Sequence, residues 1–303
     1  MSQRVRFGNR APASSVLNRT ALRAKKTRAD VQAEGDPISV AVFDTAACAE
    51  LIDDVTTIAA RAATTILRLA GSAPRRKPDG SPVTAADEAS EAVICEGLED
   101  LAAGISIVSE ERSPGPGPHA GSVASGIYFL VDPLDGTQEF IAGRDEYTVN
   151  IALISAGTPL LGVVAAPAAG LIWRGVAGGG ADRLTLGAKD KPIAIRTRPS
   201  PPSPLVMVSR SHLDTRTKAY LAKHPHSGPM ACGSSIKFCR IAEGAADLYP
   251  RLAPTHDWDI AAGHVLVVAA GGEVRAADGE PLIYGTSKRL IPDFIARGEP
   301  AER

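Results

Sequence analysis

Two aspartates stand three residues apart in the segment DPLDGT (residues 132–137), directly after an apolar strand predicted over Ile127 to Val131. Proline stiffens this turn and glycine relaxes it, so Asp132 and Asp135 can converge on one hard cation while a backbone carbonyl fills another position. Aspartate and glycine are also common in ordinary turns. The segment alone therefore leaves open both a metal site and an Asp-rich turn.

Further acidic residues stand at predicted strand ends and helix starts. Glu110 and Glu111 follow a short predicted strand, and adjacent carboxylates repel each other unless a cation offsets their charge. Asp259 opens a predicted helix and Asp87 closes a capping box, so each could be an ordinary helix cap rather than part of a metal site. The two glutamates could likewise begin a solvated loop. Because the chain has no Cys/His zinc spacing, the acidic elements together favour Mg²⁺.

Two segments in the second half of the chain suit an anion. The segment GSS (residues 233–235) opens a predicted helix with free N–H groups and two hydroxyls, and Lys237 adds a positive charge. The segment SRSH (residues 209–212) ends a predicted strand and offers four hydrogen-bonding side chains. An ordinary helix cap and a surface His212 are the alternatives. Because nucleotide-binding and kinase signatures are lacking, hydrolysis is favoured over phosphoryl transfer from ATP.

The composition limits the classes of partner. With 303 residues and 44% hydrophobic side chains, the chain can bury the core of one large domain or of two modest ones. A formal net charge of -1 argues against a general affinity for nucleic acid or anionic membranes. No apolar run approaches the roughly 18 residues of a membrane span. The four cysteines form no CxxC pair, which is typical of reduced thiols in the cytoplasm.

Residues 1–43 are predicted to form a disordered extension, because the first 28 residues carry eight Arg or Lys and no acid. A contact of this tail with a polyanion, or peripherally with the cytoplasmic face of the inner membrane, is the less favoured interpretation. Neither the role of this segment nor the oligomeric state is predicted.

The elements that must position the candidate residues change character near a proline cluster at residues 199–204. Before it, two amphipathic helices precede a series of strands; after it, strands and helices alternate, with helices predicted over residues 212–223, 234–245 and 260–270. We therefore predict an α+β subdomain over residues 44–200, with most metal ligands, and an α/β subdomain over residues 201–303, with the substrate motifs. Together they predict a layered α/β sandwich.

Four blocks occur in the order typical of the inositol monophosphatase superfamily of lithium-sensitive, Mg²⁺-dependent phosphomonoesterases, which the chain resembles: TAAD (84–87), SEE (109–111), DPLDGT (132–137) and WDIAAG (258–263). Further blocks resemble the CysQ-type 3'(2'),5'-bisphosphate nucleotidases of that superfamily: VDPLDGTQEF (131–140), YTVNIAL (147–153), SRSH (209–212), GSSIKFC (233–239) and LYPR (248–251). The similarity extends over roughly residues 46–294.

The resemblance implies an αβαβα sandwich of the inositol monophosphatase/fructose-1,6-bisphosphatase type, with two or three Mg²⁺ ions bound between its halves. The implied metal ligands are Glu110, Asp132, the Leu134 carbonyl, Asp135 and Asp259. Asp87 and Thr137, with Glu110, would orient the attacking water and help to deprotonate it, without a phosphoenzyme. Lys77 and Asp79 match a mobile loop with a third, weaker metal. The candidate substrate contacts are Gly136, Thr137, Ser209, His212, Gly233, Ser234, Ser235 and Lys237.

The implied reaction is hydrolysis of adenosine 3',5'-bisphosphate to AMP and phosphate, in support of sulfur assimilation in the cytoplasm. A phosphatase for inositol 1-phosphate or fructose 1,6-bisphosphate would share the metal motifs but should not need SRSH and GSSxK. A regulatory module without activity is a third reading, against which retention of the acidic residues argues. Gln138 stands where related nucleotidases often carry Lys, and His256-Asp257 also departs from the pattern, so fine substrate preference stays open.

Overall fold

The computed structural model describes residues 43–112, 126–286, 290–291 and 293–299. The predicted basic extension lies outside these residues, apart from Phe43. In the described part of the chain no helix has both the length and the apolar character that a membrane crossing requires.

Six helices form in the described residues, and apolar spacing accounts for the first. They are α1 (Thr45–Arg68), α2 (Ala85–Leu101), α3 (Thr137–Ile141), α4 (Thr215–Lys223), α5 (Ile236–Ala242) and α6 (Ala261–Ala269). α1 buries Leu51, Val55 and Ile58 on one face. Asp44 begins the helix by accepting a hydrogen bond from the Ala47 N–H at 2.9 Å.

A seven-stranded sheet carries the first group of candidate site residues. In spatial order it contains β3 (Ser106–Ser109), β4 (Ile127–Asp135), β5 (Thr148–Ser155), β6 (Thr158–Ala166), β7 (Leu171–Val176), β8 (Gly180–Thr185) and β9 (Ile193–Ile195). β3 pairs with β4 in parallel, and every later pair is antiparallel. Before this sheet, β1 (Arg75–Arg76) and β2 (Pro82–Val83) form a short antiparallel hairpin.

A five-stranded sheet carries the second group. It contains β10 (Val206–Ser209), β11 (Pro229–Cys232), β12 (Leu248–Arg251), β14 (Glu273–Arg275) and β16 (Phe294–Arg297), in the spatial order β11-β10-β12-β16-β14. β10 is parallel to both β11 and β12, whereas β16 is antiparallel to its neighbours. β13 (Thr255–His256) pairs separately with β15 (Leu290–Ile291).

The helices lie in three layers around the two sheets. α1 and α2 pack on one face of the seven-stranded sheet, while α5 and α6 lie between the sheets, where α6 contacts both. On the outer face of the second sheet, Leu221 of α4 packs against Val206 and Val208, whereas Met207 points into the core between the sheets. The predicted αβαβα sandwich is confirmed. The chain changes sheet between Ile195 and Val206, and the division into two subdomains stays a prediction.

Three predicted boundaries were wrong for local reasons. The strand predicted to stop at Val131 continues to Asp135. The helix predicted over residues 234–245 spans only Ile236–Ala242, because Ser234 has a left-handed φ of 47° that a right-handed helix cannot contain. The helix predicted from His212 begins at Thr215, because Asp214 caps it by accepting from the Thr217 N–H at 2.9 Å.

The close approach of α5 and α6 depends on Gly263. A Cβ atom there would lie 2.5 Å from the Phe238 ring, and that ring is held between Tyr249 and Phe294, with centroids at 5.2 and 5.6 Å. We predict that Gly263→Ala lowers the free energy of unfolding by about 1–3 kcal/mol, measured by thermal or denaturant unfolding. Val268→Ala, at a partly exposed position of the same helix, is the control. Equal stability of the Gly263→Ala variant and the unsubstituted protein would contradict this packing.

Candidate active site

An irregularity in β4 brings Asp132 and Asp135 to one cluster. Residues three apart in a regular strand point to opposite faces. Here the pairing of β4 with β5 shifts between Asp132 and Asp135, so the intervening residues bulge from the ladder. The Leu134 N–H bonds Asp132 Oδ1 at 3.0 Å, which fixes the bulge. Gly136 follows with a φ of 92° and begins α3.

Asp259 joins these two aspartates from the other half of the chain. Ligand oxygens of Asp132, Asp135 and Asp259 all lie within 4.8 Å of one another. Burial raises the pKa of all three carboxyl groups. The Glu110 carboxylate raises these pKa values further, and repulsion within the cluster adds to the rise for Asp132 and Asp135. The cluster therefore holds more negative charge than its protein surroundings neutralise.

Asp259 is not a helix cap. Its Oδ2 accepts from Thr255 Oγ1 at 2.5 Å and from the His256 N–H at 3.2 Å, and no side chain caps α6. The Ser235 hydroxyl lies 2.7 Å from the Asp259 carbonyl and 3.2 Å from Asp135 Oδ2, and it accepts from Asn150 Nδ2 at 2.9 Å. Ser235, predicted to contact substrate, therefore connects the two parts of the carboxylate cluster.

The charge of Glu110 and Glu111 is offset by a cation from the protein itself. Lys77 Nζ donates to Glu110 Oε1 at 2.8 Å and to Glu111 Oε1 at 2.6 Å. Burial raises the pKa of Glu111 to about 7, although Lys77 opposes this shift. Lys77 lies in the turn of the β1–β2 hairpin, where Asp79 Oδ1 accepts from the Ser81 N–H and hydroxyl at 2.9 and 2.7 Å. The mobility of this turn and a third metal there stay predictions.

Asp87 serves both the capping box and Thr137. Its Oδ2 accepts from the Thr84 N–H and hydroxyl, each at 2.7 Å, and this confirms the predicted capping box. Its Oδ1 accepts from Thr137 Oγ1 at 3.0 Å. Burial raises the pKa of Asp87, while the bonds from Thr84 and Thr137 lower it. The capping box thus fixes a buried carboxylate against a hydroxyl at the start of α3.

A cavity of ≈ 320 Å³ brings most of the predicted site residues together. The predicted residues that line it are Glu110, Asp135, Gly136, Thr137, Ser209, His212, Gly233, Ser234, Lys237 and Asp259. The predicted residues that do not line it are Lys77, Asp79, Asp87, Asp132, Leu134 and Ser235. Three of these six residues contact residues of the first group: Lys77 pairs with Glu110, Asp87 accepts from Thr137, and Ser235 bonds Asp135.

Two of the four SRSH side chains, those of Arg210 and Ser211, bond to other residues of the protein and do not line the cavity. Arg210 forms a two-pronged ion pair with Glu146, with both N···O distances at 2.6 Å, and Glu146 also accepts from the Gly233 N–H at 2.8 Å. Ser211 donates to Glu139 at 2.5 Å. Of the free N–H groups predicted for GSS, that of Gly233 is therefore engaged within the protein. These bonds instead attach SRSH and GSS to the segment that follows DPLDGT.

The remaining polar groups of the two motifs differ in how many of their hydrogen bonds are made within the protein. The His212 N–H donates to Ser209 Oγ at 3.1 Å. Burial lowers the pKa of His212, and the positive charge of Arg251 adds to this effect. Lys237 Nζ donates to the carbonyls of Cys232 and Ser234, which leaves one N–H donor. The buried Ser234 hydroxyl has no hydrogen-bond partner among the described residues.

Sequence reasoning missed several residues that line the same cavity. They include Glu139, Tyr249, Arg251, Pro254 and Thr255. Gln138 and His256, which the sequence analysis noted as departures from the pattern of related nucleotidases, line the cavity as well. Tyr249 and Arg251 belong to LYPR, a block that carries the family resemblance, so the sequence did contain a signal that could have placed them at the site. The roles of Glu139 and Glu146 had no signal in the sequence, because their partners Ser211 and Arg210 are 72 and 64 residues away along the chain.

The sequence profile of the inositol monophosphatase family matches residues 40–299. The chain belongs to this family. The 3'(2'),5'-bisphosphate nucleotidase CysQ of Shigella flexneri is 46% identical over 219 residues, which are 72% of this chain and 86% of that protein. The protein of the same name from Escherichia coli (strain K12) is 45% identical over the same shares. The family resemblance predicted from the sequence blocks is confirmed.

Solved structures of the family share the fold. CysQ from Bacteroides thetaiotaomicron matches with a TM-score of 0.69 and 34% identity, over 82% of this chain and 96% of that chain. An inositol monophosphatase from Anabaena matches with a TM-score of 0.66 and 26% identity, over 83% and 91% of the two chains. Both known structures therefore carry the same layered architecture as this family member.

The carboxylate cluster suits the metal that the family resemblance implies. Its donors are all oxygen atoms, which hard divalent cations prefer. Asp132, Asp135 and Asp259 are buried or partly buried and repel one another. A bound cation would therefore relieve an electrostatic repulsion that destabilises the cation-free protein. Glu110 and the Leu134 carbonyl stay the other predicted ligands of the cluster.

We predict that Mg²⁺ stabilises the metal-free protein, because it binds the folded cluster and relieves its repulsion. The free energy of unfolding should rise by about 2.7 kcal/mol when the Mg²⁺ concentration is a hundred times its Kd. This gain is measured as a rise in unfolding temperature. Asp135→Asn should lose most of this rise, yet its metal-free form should unfold no earlier than the unsubstituted protein. Asp278→Asn, at an exposed turn, is the control. An equal Mg²⁺ shift with and without Asp135→Asn would exclude Asp135 as a ligand.

Proposed function

We propose that this family member hydrolyses the 3'-phosphate of adenosine 3',5'-bisphosphate to give AMP and phosphate. The observation that carries the proposal is one cavity that combines the carboxylate cluster with side chains of SRSH, GSSxK and LYPR. The chain shares 45–46% identity with proteins named 3'(2'),5'-bisphosphate nucleotidase, which supports the same substrate class. A role in sulfur assimilation in the cytoplasm follows from this substrate.

The proposed cofactor is Mg²⁺, as two or three ions. Glu110, Asp132, Asp135, Asp259 and the Leu134 carbonyl would hold it. Bound Mg²⁺ would offset the charge of the scissile phosphate and of the leaving oxygen. The protein's part is to hold the carboxylates close together despite the burial and repulsion that raise their pKa values.

Thr137 and Asp87 would orient the attacking water. When Thr137 Oγ1 donates its hydrogen to Asp87, its lone pairs are left to accept a hydrogen bond from that water. The hydroxyl can take the proton of the water as it passes its own hydrogen to Asp87, whose pKa is raised by burial. Glu110 lines the same cavity as Thr137. The water attacks phosphorus directly, so no phosphoenzyme forms.

The substrate would be held from the C-terminal half of the chain. Ser209, His212, Ser234 and Lys237 line the cavity and are the proposed contacts, with Gly136 close to the reacting phosphate. Ser234 supports this role because its buried hydroxyl has no partner among the described residues. Gly233 and Ser235 would shape this wall, since the Gly233 N–H and the Ser235 hydroxyl are engaged within the protein.

Phosphate release from a panel of substrates tests the proposed function. We predict that the purified protein prefers adenosine 3',5'-bisphosphate to inositol 1-phosphate and fructose 1,6-bisphosphate. Turnover should require Mg²⁺, fall to background with EDTA and decrease in millimolar Li⁺, as the family membership implies. Preference for a sugar or inositol phosphate would retain the metal site but reject the nucleotide substrate. Absence of turnover on every substrate would favour a regulatory module.

The Thr137–Asp87 pair gives a separate prediction. Thr137→Ala should lower kcat by about 100-fold or more, because the attacking water loses its orienting hydroxyl. Thr137→Ser should retain most activity, since it keeps the hydroxyl. The Mg²⁺-dependent rise in unfolding temperature should be the same in both variants, which separates water positioning from metal binding. Equal kcat values for the two variants would reject the role of the hydroxyl.

A further inference from the structure

The carbonyl group of Glu146 lies between the segments DPLDGT and GSS. A Cβ atom at Gly136 would stand 3.0 Å from the Glu146 carbonyl oxygen, and a Cβ atom at Gly233 would stand 2.6 Å from the same oxygen. A carbon atom at the second distance would overlap the oxygen, so the close approach of GSS to Glu146 requires glycine. Glu146 is therefore a point where the segment of the metal ligands meets the segment of the proposed substrate contacts.

The Glu146 side chain binds the second segment through three hydrogen bonds. Its carboxylate accepts from Arg210 Nε and Nη2, both at 2.6 Å, and from the Gly233 N–H at 2.8 Å. Arg210 also donates to the Ala231 carbonyl at 2.9 Å. The bonds from Arg210 are the main cause that lowers the pKa of Glu146, so its carboxylate is ionised at neutral pH. One carboxylate thus attaches the ends of β10 and β11 to the segment after DPLDGT.

Ser234, which follows Gly233, has a backbone conformation that needs this support. Its φ of 47° lies in the left-handed region, which costs free energy for a residue with a side chain. Such a conformation persists only where neighbouring contacts fix it. The Glu146 carboxylate fixes the preceding residue, and the Ser235 hydroxyl fixes the next one by bonding the Asp259 carbonyl at 2.7 Å. The strained residue between these anchors lines the cavity, and its buried hydroxyl has no partner among the described residues.

Glu146 and Arg210 act on the cavity from outside it. Neither residue lines the cavity, so their effect on a ligand must pass through the residues that they hold. The carboxylates of the metal cluster have supports of their own, in the irregularity of β4 and in the Thr255 hydroxyl. Loss of the Glu146 carboxylate would therefore disturb Ser234 more than it disturbs the cluster.

We propose that Glu146, paired with Arg210, is a positioning residue for nucleotide binding: it holds Gly233 so that Ser234 keeps its strained conformation at the cavity wall. The inference rests on the proposed function, since Ser234 is a proposed contact of the nucleotide. It deepens that function, because neither member of the ion pair belongs to the proposed substrate contacts. The expected consequence of breaking the pair is a loss of nucleotide affinity without a loss of metal binding.

Calorimetric binding of two ligands in the presence of Mg²⁺ tests this role. AMP carries a nucleoside that the cavity wall can contact, whereas inorganic phosphate suits the metal site alone. Glu146→Gln should weaken AMP binding by about tenfold or more, the size expected when charge-assisted hydrogen bonds are lost. Binding of inorganic phosphate should change by less than about twofold, and the Mg²⁺-dependent rise in unfolding temperature should be unchanged. A merely structural role would weaken the binding of both ligands alike.

Arg210 supplies the second half of the test. Arg210→Met should also weaken AMP binding, and Arg210→Lys should recover part of the loss, because it keeps the charge but not the two-pronged geometry. In the double variant Glu146→Gln/Arg210→Met the two losses should not add, because both residues act through one ion pair. Additive losses would mean that Arg210 contacts the nucleotide itself, and would overturn the positioning role.

Asp182→Asn is the matched control, because Asp182 forms a two-pronged pair with Arg174 and neither residue lines the cavity. It should leave the binding of both ligands unaffected. Unfolding temperatures establish that each variant folds. The Arg210 variants change the more exposed partner of the same pair and carry the test if Glu146→Gln does not fold. Equal weakening of AMP and phosphate, or no weakening of either, would overturn the proposal.

Turnover of adenosine 3',5'-bisphosphate separates the inference from the proposed function. In Glu146→Gln the KM should rise by about tenfold or more, while kcat changes less. If AMP binding depends on Glu146 but the unsubstituted protein does not hydrolyse the bisphosphate, the proposed function is wrong and the positioning role stands. If the bisphosphate is hydrolysed and the variant binds AMP as tightly as the unsubstituted protein, the function stands and the positioning role is wrong.

Discussion

Repulsion between buried carboxylates is the constraint around which the site is built. Oxygens of Asp132, Asp135 and Asp259 come within 4.8 Å of one another, and the pKa of each group is raised. Such a cluster would spread apart unless the surrounding structure held it. The strand irregularity holds the first two, and the Thr255 hydroxyl holds the third. The layered core therefore stabilises a charge arrangement that is unfavourable in the absence of a cation.

The acidic and basic sides of the cavity keep their relative position through hydrogen bonds rather than through apolar packing alone. Ser235 joins Asp135 to the backbone of Asp259. Glu146 takes both prongs of Arg210 and also the Gly233 N–H. Charge-assisted, two-pronged bonds define direction as well as distance. Arg210 and Ser235, whose side chains are of types that suit phosphate recognition, therefore align the segments that carry the other proposed substrate contacts.

The family resemblance implied that Asp132, Asp135 and Asp259 share one site, and the structure brings these three carboxylates together. The sequence also predicted that Glu110 and Glu111 need a cation, but not that Lys77 supplies one. The roles of Ser235 and Gly233 could not be predicted, because their partners are distant in sequence and either residue could equally cap a helix. The extension of β4 to Asp135 was missed for a similar reason, since a bulge containing proline resembles the end of a strand.

Charge separation within the cavity bears on how the site distinguishes substrates. Asp135 and Asp259 of the carboxylate cluster line the cavity, and so does Arg251, whose buried Nε has no hydrogen-bond partner among the described residues. A ligand that offers no acceptor there would leave the Nε–H of Arg251 buried and unpaired. Sites that hydrogen-bond a substrate group discriminate strongly against analogues that lack it, because the protein group then stays unsatisfied. Discrimination between substrates would thus arise as much from the cost of a missing partner as from the attraction of a present one.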